Sequence, residues 1–195
     1  MAGPTEETPA RRRDAEENRA RIIAAAREVF MSAGFDAPLD AIARRAGVGR
    51  ATLYRNFADR FALGTAIVED DLAALEALAR EHLDEPDVLM RLLSTIVEQH
   101  IETYALVPAL LRGSSGPDLQ ALVPRVTRLF KVPLRRARAA ALVRDDVTVA
   151  DVIDVLAMVS AVVAGDTSIR AQRRRAARAL DLLLHGLVPR ESKGK

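Results

Sequence analysis

The chain has 195 residues, is 49% apolar and 29% charged, and carries a net charge of only +2. That length and apolar share support a packed core, in one domain or in a small domain joined to a larger one. Cysteine is absent, which excludes a disulfide framework and thiolate metal sites and fits a reducing, cytoplasmic setting.

Strand signals are poor, and alanine, leucine and arginine dominate, so the expected fold is all-α. Residues 1–13 are polar, hold Pro4 and Pro9, and read as a disordered tail. With no apolar run they are no signal peptide. Arg11, Arg12 and Arg13 end the tail, either as solubilising charge or as an arm for a DNA minor groove. A first helix is expected over 14–33. Asp14, Glu16 and Glu17 suit its N-terminal dipole, and Ile22, Ile23, Ala26, Val29 and Phe30 form its buried stripe.

The stretch from Leu39 to Phe57 reads as two short helices with a tight turn between them. Leu39, Ile42, Ala43 and Ala46 share one face of the first, with Asp36 its expected cap, and Gly47 stops it. Val48 fills the corner. The second helix turns Leu53, Tyr54 and Phe57 inward and leaves Arg50, Thr52, Arg55 and Asn56 outward. This is the logic of a helix-turn-helix, whose second helix enters the major groove. From Arg44 to Arg60 five basic residues face one acidic residue, a local net of +4. Arg44 and Arg45 face outward from the first helix. Arg50 can pair with a guanine edge, and Ala51 and the Thr52 methyl suit a thymine methyl. Tyr54 either presents its hydroxyl to a phosphate or is simply packed.

Asp59 is the expected cap of a long helix running to about Leu83. Further helices are expected over 87–104, from Pro108 to about Arg112, over 119–143 with bends at Pro124 and Pro133, over 149–164 capped by Thr148, and over 169–185. The GSSGPD stretch at 113–118 reads as a turn. Charge is uneven: 59–118 has four basic and twelve acidic residues, a net of −8, whereas 119–144 has seven basic and none acidic. The basic segment is a solvated surface ion-paired with the acidic one, or a second DNA surface. The apolar stretch 147–165 is broken by Asp151, Asp154 and Ser160, so no membrane span is expected. Its helix is apolar nearly all round and needs burial on both sides, by the core and by a partner subunit. Val152, Leu156, Val159 and Val163, with Leu180, Leu183, Leu184 and Leu187 of the last helix, are the candidate dimer residues. His82, His100 and His185 are too scattered for a metal site, and no catalytic constellation or phosphate loop appears, so neither an enzyme nor a cofactor is implied.

The segment IIAAAREVFMSAGF, followed by LDAIARRAGVGRATLYRNF and ADRFAL, resembles the DNA-binding domain of the TetR family of bacterial transcriptional regulators. The resemblance covers about Arg19 to Leu63. It implies a three-helix DNA-reading head over 14–58, a helical ligand-binding and dimerisation body over 59–188, and a tail over 189–195. In relatives, the positions of Thr52, Tyr54 and Arg55 touch the DNA backbone, with Asn56 beside them, and that of Arg60 lies on a phosphate. The last two helices resemble the pair that forms the family's four-helix dimer interface. A small effector is implied inside the body, where Leu93, Val97, His100, Tyr104, Leu110, Phe130 and Met158 are the candidate lining; the same residues would equally make a closed core. Pro38 and Leu39 depart from the serine or threonine common at this helix start, Asp40 from a basic base-reader, and Gly49 from a serine cap. The function implied is a dimeric repressor that leaves its double-stranded DNA operator when a small molecule binds. An effector-independent regulator, and a helical ligand-binding protein that no longer reads DNA, remain the alternatives.

Overall fold

The computed structural model describes residues 9–103, 106, 110, 119–163 and 168–185. Eight α-helices occur among the described residues: α1 (Pro9–Ala33), α2 (Leu39–Ala46), α3 (Arg50–Asn56), α4 (Arg60–Glu81), α5 (Val88–Thr103), α6 (Val123–Ala139), α7 (Val149–Val163) and α8 (Ile169–His185). A 3-10 turn at Leu119–Leu122 precedes α6, and these residues form no strand. The fold is the all-α one expected. The chain divides into two compact units. One holds residues up to Asp71 together with Leu106 and Leu110; the other holds residues from Leu72 to 103 and from Ala121 onward.

Residues 9–13, expected to belong to a tail over 1–13, are part of α1, which begins at Pro9. Proline is tolerated in a first helical turn, and the alanine and three arginines that follow are good helix formers. The arginine triplet is therefore helical rather than the end of an extended arm.

The first unit is organised by a core of Ile22, Ala26 and Phe30 from α1, Ile42, Ala43 and Ala46 from α2, Leu53 and Phe57 at α3, and Leu63, Ala66 and Ile67 from α4. Phe35 sits between Phe30 and Phe61, with ring centroids 5.1 and 5.4 Å away. Leu106 and Leu110, each 2% exposed, complete this core. Gly64 makes room for them: a β-carbon there would lie 2.9 Å from both leucine side chains. The α4 start is capped as expected, the Ala62 amide donating to Asp59 Oδ1 at 2.8 Å. On the outside, Arg27 joins α1 to α4 through Asp70 and Asp71, at 2.9 and 2.6 Å.

The second unit buries Leu89, Leu92, Leu93 and Val97 of α5 with Phe130 and Leu134 of α6, Val152 and Val159 of α7, and Ala176 and Leu180 of α8. The single helix expected over 119–143 is instead the 3-10 turn followed by α6, which stops at Ala139. Ala141 takes a left-handed φ of 54°, and the Ala141 and Leu142 amides donate back to Arg138 and Ala137 carbonyls at 2.9 Å. Helix α7 starts as expected. Thr148 Oγ1 accepts the Asp151 amide at 3.2 Å, while Asp151 Oδ2 accepts the Thr148 amide at 2.6 Å, a reciprocal cap. Arg125 grips Glu76 with two hydrogen bonds of 3.0 and 2.9 Å, and Arg136 pairs with Asp84 at 2.6 Å. Part of the basic segment is thus ion-paired with the acidic one.

Candidate nucleic-acid interface

The turn between α2 and α3 is fixed by backbone chemistry. Gly47 adopts φ 64°, ψ 34°, and its amide and that of Val48 bond to Arg44 and Ala43 carbonyls at 3.2 and 3.0 Å. Sequence reasoning gave Arg21 no role here. Its guanidinium reaches from α1 and donates to the Ala46 carbonyl (Nη2 at 2.7 Å, Nε at 3.2 Å) and to the Gly47 carbonyl (Nη2 at 3.0 Å). A cation thereby satisfies the C-terminal carbonyls of α2 and opposes that helix's negative end. Arg19, two residues earlier on α1, lies 4.6 Å over the Phe57 ring. Neither contact has a local sequence signal, because the partners are 25 or more residues away.

Leu53 and Phe57, 1% and 3% exposed, root α3 in the core. Arg50, Ala51, Tyr54 and Arg55 lie exposed on its outer side, and Thr52 and Asn56 are half-buried. Tyr54 is 46% exposed, so its ring is not enclosed in the core. Asn56 Nδ2 donates to the Thr52 carbonyl at 2.8 Å, and Arg55 Nη2 approaches Thr52 Oγ1 at 3.5 Å. Arg44 and Arg45 project from the last turn of α2, where Arg45 pairs with Glu28 of α1. Arg50 lies against Asp40 of α2, Nε to Oδ1 at 2.9 Å. Arg60 donates to the Phe35 carbonyl at 3.0 Å and to Asp36 Oδ1 at 3.1 Å.

Tyr54, expected inward with Leu53 and Phe57, instead stands outward, because it lies beside rather than on the stripe that Leu53 and Phe57 bury. Asp36 does not cap α2: the N-cap is Pro38, with no side-chain cap bond, and Asp36 serves Arg60 instead. Arg60 is a half-buried latch between the α1–α2 connection and α4.

Of the candidate effector residues, Leu93, Val97 and Phe130 are buried in the second unit's core, but Leu110 belongs to the first unit's core and Met158 is 47% exposed. The family resemblance offered Leu110 as pocket lining or closed core without telling which core it joins. The Met158 side faces away from its own core on a helix with more apolar surface than that core can cover. Tyr104 and the His100 side chain lie outside the described residues. The second unit does have an open groove of about 320 Å³ between α4 and α6, lined by Glu76, Ala79, Arg80, Arg125, Arg128 and Leu129, among others. The paired Arg125 guanidinium holds the Glu76 carboxyl below the usual carboxylate range. Of the candidate dimer residues, Val152, Val159 and Leu180 are buried, Leu156 and Leu184 half-buried, and Leu183 is 39% exposed. Leu187 and the Val163 side chain lie outside the described residues.

Among the described residues no helix is long and apolar enough to cross a membrane, and no cluster of metal-ligating side chains occurs. Residues 22–67 match the family described as bacterial regulatory proteins, tetR family. Residues 84–189 match the C-terminal domain described as transcriptional regulator SbtR-like. The crystal structure of a TetR transcriptional regulator from Streptomyces coelicolor is 32% identical, covers 88% of this chain and 99% of its own, and superposes with a TM-score of 0.68. A TetR transcription regulatory protein from Mycobacterium vanbaalenii is likewise 32% identical, covering 84% and 96%, with a TM-score of 0.62. The regulator UidR of Escherichia coli is 29% identical over 115 residues, so the match spans 56% of this chain and 59% of that relative. With both halves of the chain matched and the helix-turn-helix geometry in place, the chain belongs to the TetR family of bacterial, DNA-binding transcriptional regulators.

Proposed function

We propose that the protein is an operator-binding repressor that acts as a homodimer and leaves DNA when a small molecule occupies the body. The observation that carries this reading is the exposed edge of α3. Arg50, Ala51, Tyr54 and Arg55 stand outward on a helix whose inner side chains are locked in the head's core. Arg50 at the helix start reads a base, Ala51 and Thr52 contact thymine methyls, and Tyr54, Arg55 and Asn56 position the helix on the sugar-phosphate backbone. Arg44, Arg45 and Arg60 add phosphate contacts from α2 and α4.

Dimerisation is supported by the apolar surface of the last two helices. Met158 and Leu183 are exposed there, and Val155, Leu156 and Leu184 are only half-buried. A two-fold pair of heads about 34–36 Å apart would read a palindrome. The groove between α4 and α6 supports an effector with an apolar body and an anionic group, since three arginines and one carboxylate line it beside Ala79 and Leu129. Helix α4 contributes Leu63 and Ile67 to the head's core and Glu76, Ala79 and Arg80 to that groove. A ligand that binds one placement of α4 more tightly shifts the balance between head spacings.

Selection of bound sequences from a random duplex pool, with the full chain at near-physiological salt, tests the reading. A palindrome with half-sites one helical turn apart is the expected result. No enrichment, with a shallow dependence of affinity on salt, would overturn it and leave a ligand-binding body as the function.

A further inference from the structure

Asp40 is an odd residue for a DNA-facing helix. It sits in the first turn of α2, partly exposed. A carboxylate there repels the backbone and can only accept from a base. The structure gives it a different occupation. Its Oδ1 lies 2.9 Å from Nε of Arg50, the first residue of α3. The closest approach falls on Nε, at the stem side of the guanidinium. The terminal Nη1 and Nη2, which can span O6 and N7 of guanine, are left at the open end of a side chain that is 68% exposed.

A long arginine at a helix start samples many rotamers, and near DNA most of them reach a phosphate rather than a base. A carboxylate on the neighbouring helix narrows that choice. It holds the guanidinium from its stem side and, by its own charge, keeps Arg50 from being drawn wholly to the backbone. Preorganisation of this kind raises discrimination more than it raises affinity. We propose that Asp40 is a specificity-positioning residue: it holds Arg50 so that its terminal nitrogens meet a guanine edge. The proposal rests on the DNA-reading function above and adds the residue that sets its sharpness.

The test compares the full-length wild type with Asp40→Asn, Asp40→Ala, Asp40→Glu, Arg50→Ala and the double variant Asp40→Ala/Arg50→Ala. Each is titrated on the selected operator, on single-base-pair variants of it, and on random duplex. We expect Arg50→Ala to relax one base pair by about 5- to 150-fold. Asp40→Asn and Asp40→Ala should relax that same base pair by a smaller factor, about three- to tenfold, with random-duplex affinity unchanged or raised. Asp40→Glu should restore part of the discrimination, and the double variant should be no worse at that position than Arg50→Ala. In the DNA-free protein, the Arg50 side chain should be less ordered in Asp40→Asn than in wild type, read as a lower NMR order parameter of its Nε–H vector.

Relaxation at a different base pair would mean that Asp40 reads DNA itself and would overturn the proposal. So would equal losses on all duplexes, unchanged discrimination, or an unchanged order parameter of the Arg50 side chain. If the wild type selects no sequence, the DNA-reading function falls and this proposal falls with it. If the wild type selects a palindrome and the Asp40 variants keep its discrimination, only this proposal falls.

Discussion

Arg21→Met isolates the contact that holds the helix-turn-helix angle. Methionine keeps the unbranched stem packed along α1 and removes the guanidinium. Three donations are lost, two to the Ala46 carbonyl and one to the Gly47 carbonyl, at 2.7 to 3.2 Å. A hydrogen bond from a charged donor contributes roughly 1.5–3 kcal/mol in a buried setting. Arg21 and Gly47 are exposed and only Ala46 is buried, so solvent screening brings the whole set to about 1–2 kcal/mol. Removing the cation from the C-terminus of α2 adds about 0.5 kcal/mol. The expected loss is therefore about 1.5–2.5 kcal/mol, concentrated at the turn. Backbone amide exchange at Gly47 and Val48, which close the turn by bonding to Arg44 and Ala43, should quicken by roughly 10- to 70-fold, the same energy expressed as a ratio. Thermal unfolding followed by circular dichroism should fall by about 3–10 °C. Operator affinity should fall with it and return partly at low temperature, where the turn re-forms. Unchanged amide exchange together with lost DNA binding would refute the reasoning, because Arg21 would then be a DNA contact and not a clamp.

Gly47→Ala should cost about 1–2 kcal/mol in urea denaturation, because φ is 64° and the new β-carbon would lie 3.2 Å from Arg21 Nη2; Gly47→Asn, which accepts that φ better, should cost less. Met158→Glu places a charge on exposed apolar surface of α7 and should shift sedimentation of the full chain from dimer towards monomer, with far-ultraviolet helicity kept. Donation from Thr148 holds the Asp151 carboxyl below the usual carboxylate range. A depressed folded value means that the cap's stabilisation is fully present above the ordinary aspartate value of about 3.9 and is lost as pH falls through the folded value. The difference in melting temperature between wild type and Thr148→Val should accordingly be constant near neutrality and shrink only in strong acid.

Local rules made the helices legible. Gly47 ended α2, Asp59 and Thr148 began α4 and α7, and the spacing of Leu53 and Phe57 gave the inner side of α3. The rules failed where the physics was not local or the residue was atypical. The end of α6 was missed because an alanine, Ala141, takes the left-handed conformation usually left to glycine. Asp36 looked like a cap because aspartate before a helix usually is one; a cation 24 residues away takes it instead. Leu110 was named only through the family resemblance, as pocket lining or core, and nothing local in the sequence marks it as a neighbour of Gly64, 46 residues away.

The charge count of the head shows the same limit and bears on how it meets DNA. Of the five arginines between Arg44 and Arg60, three already have carboxylate partners: Arg45 with Glu28, Arg50 with Asp40, and Arg60 with Asp36. A sum over sequence treats all five as available to phosphates. The pairs are not strong competitors, however. In each, at least one partner's side chain is half exposed or more, and exposed pairs of this kind contribute about 0–1 kcal/mol each. A duplex offers a phosphate charge about every 1.7 Å along its axis, so exchange of partner on binding is favourable for Arg45 and Arg60, whereas in the arrangement proposed above Arg50 keeps Asp40 at its stem side while its terminal nitrogens meet a base. What the carboxylates change is direction. Glu28, Asp40 and Asp36 belong to three different parts of the head, and each holds its arginine near one place before DNA arrives. The basic surface is thus preset by its acidic partners, and the local net of +4 measures only its average.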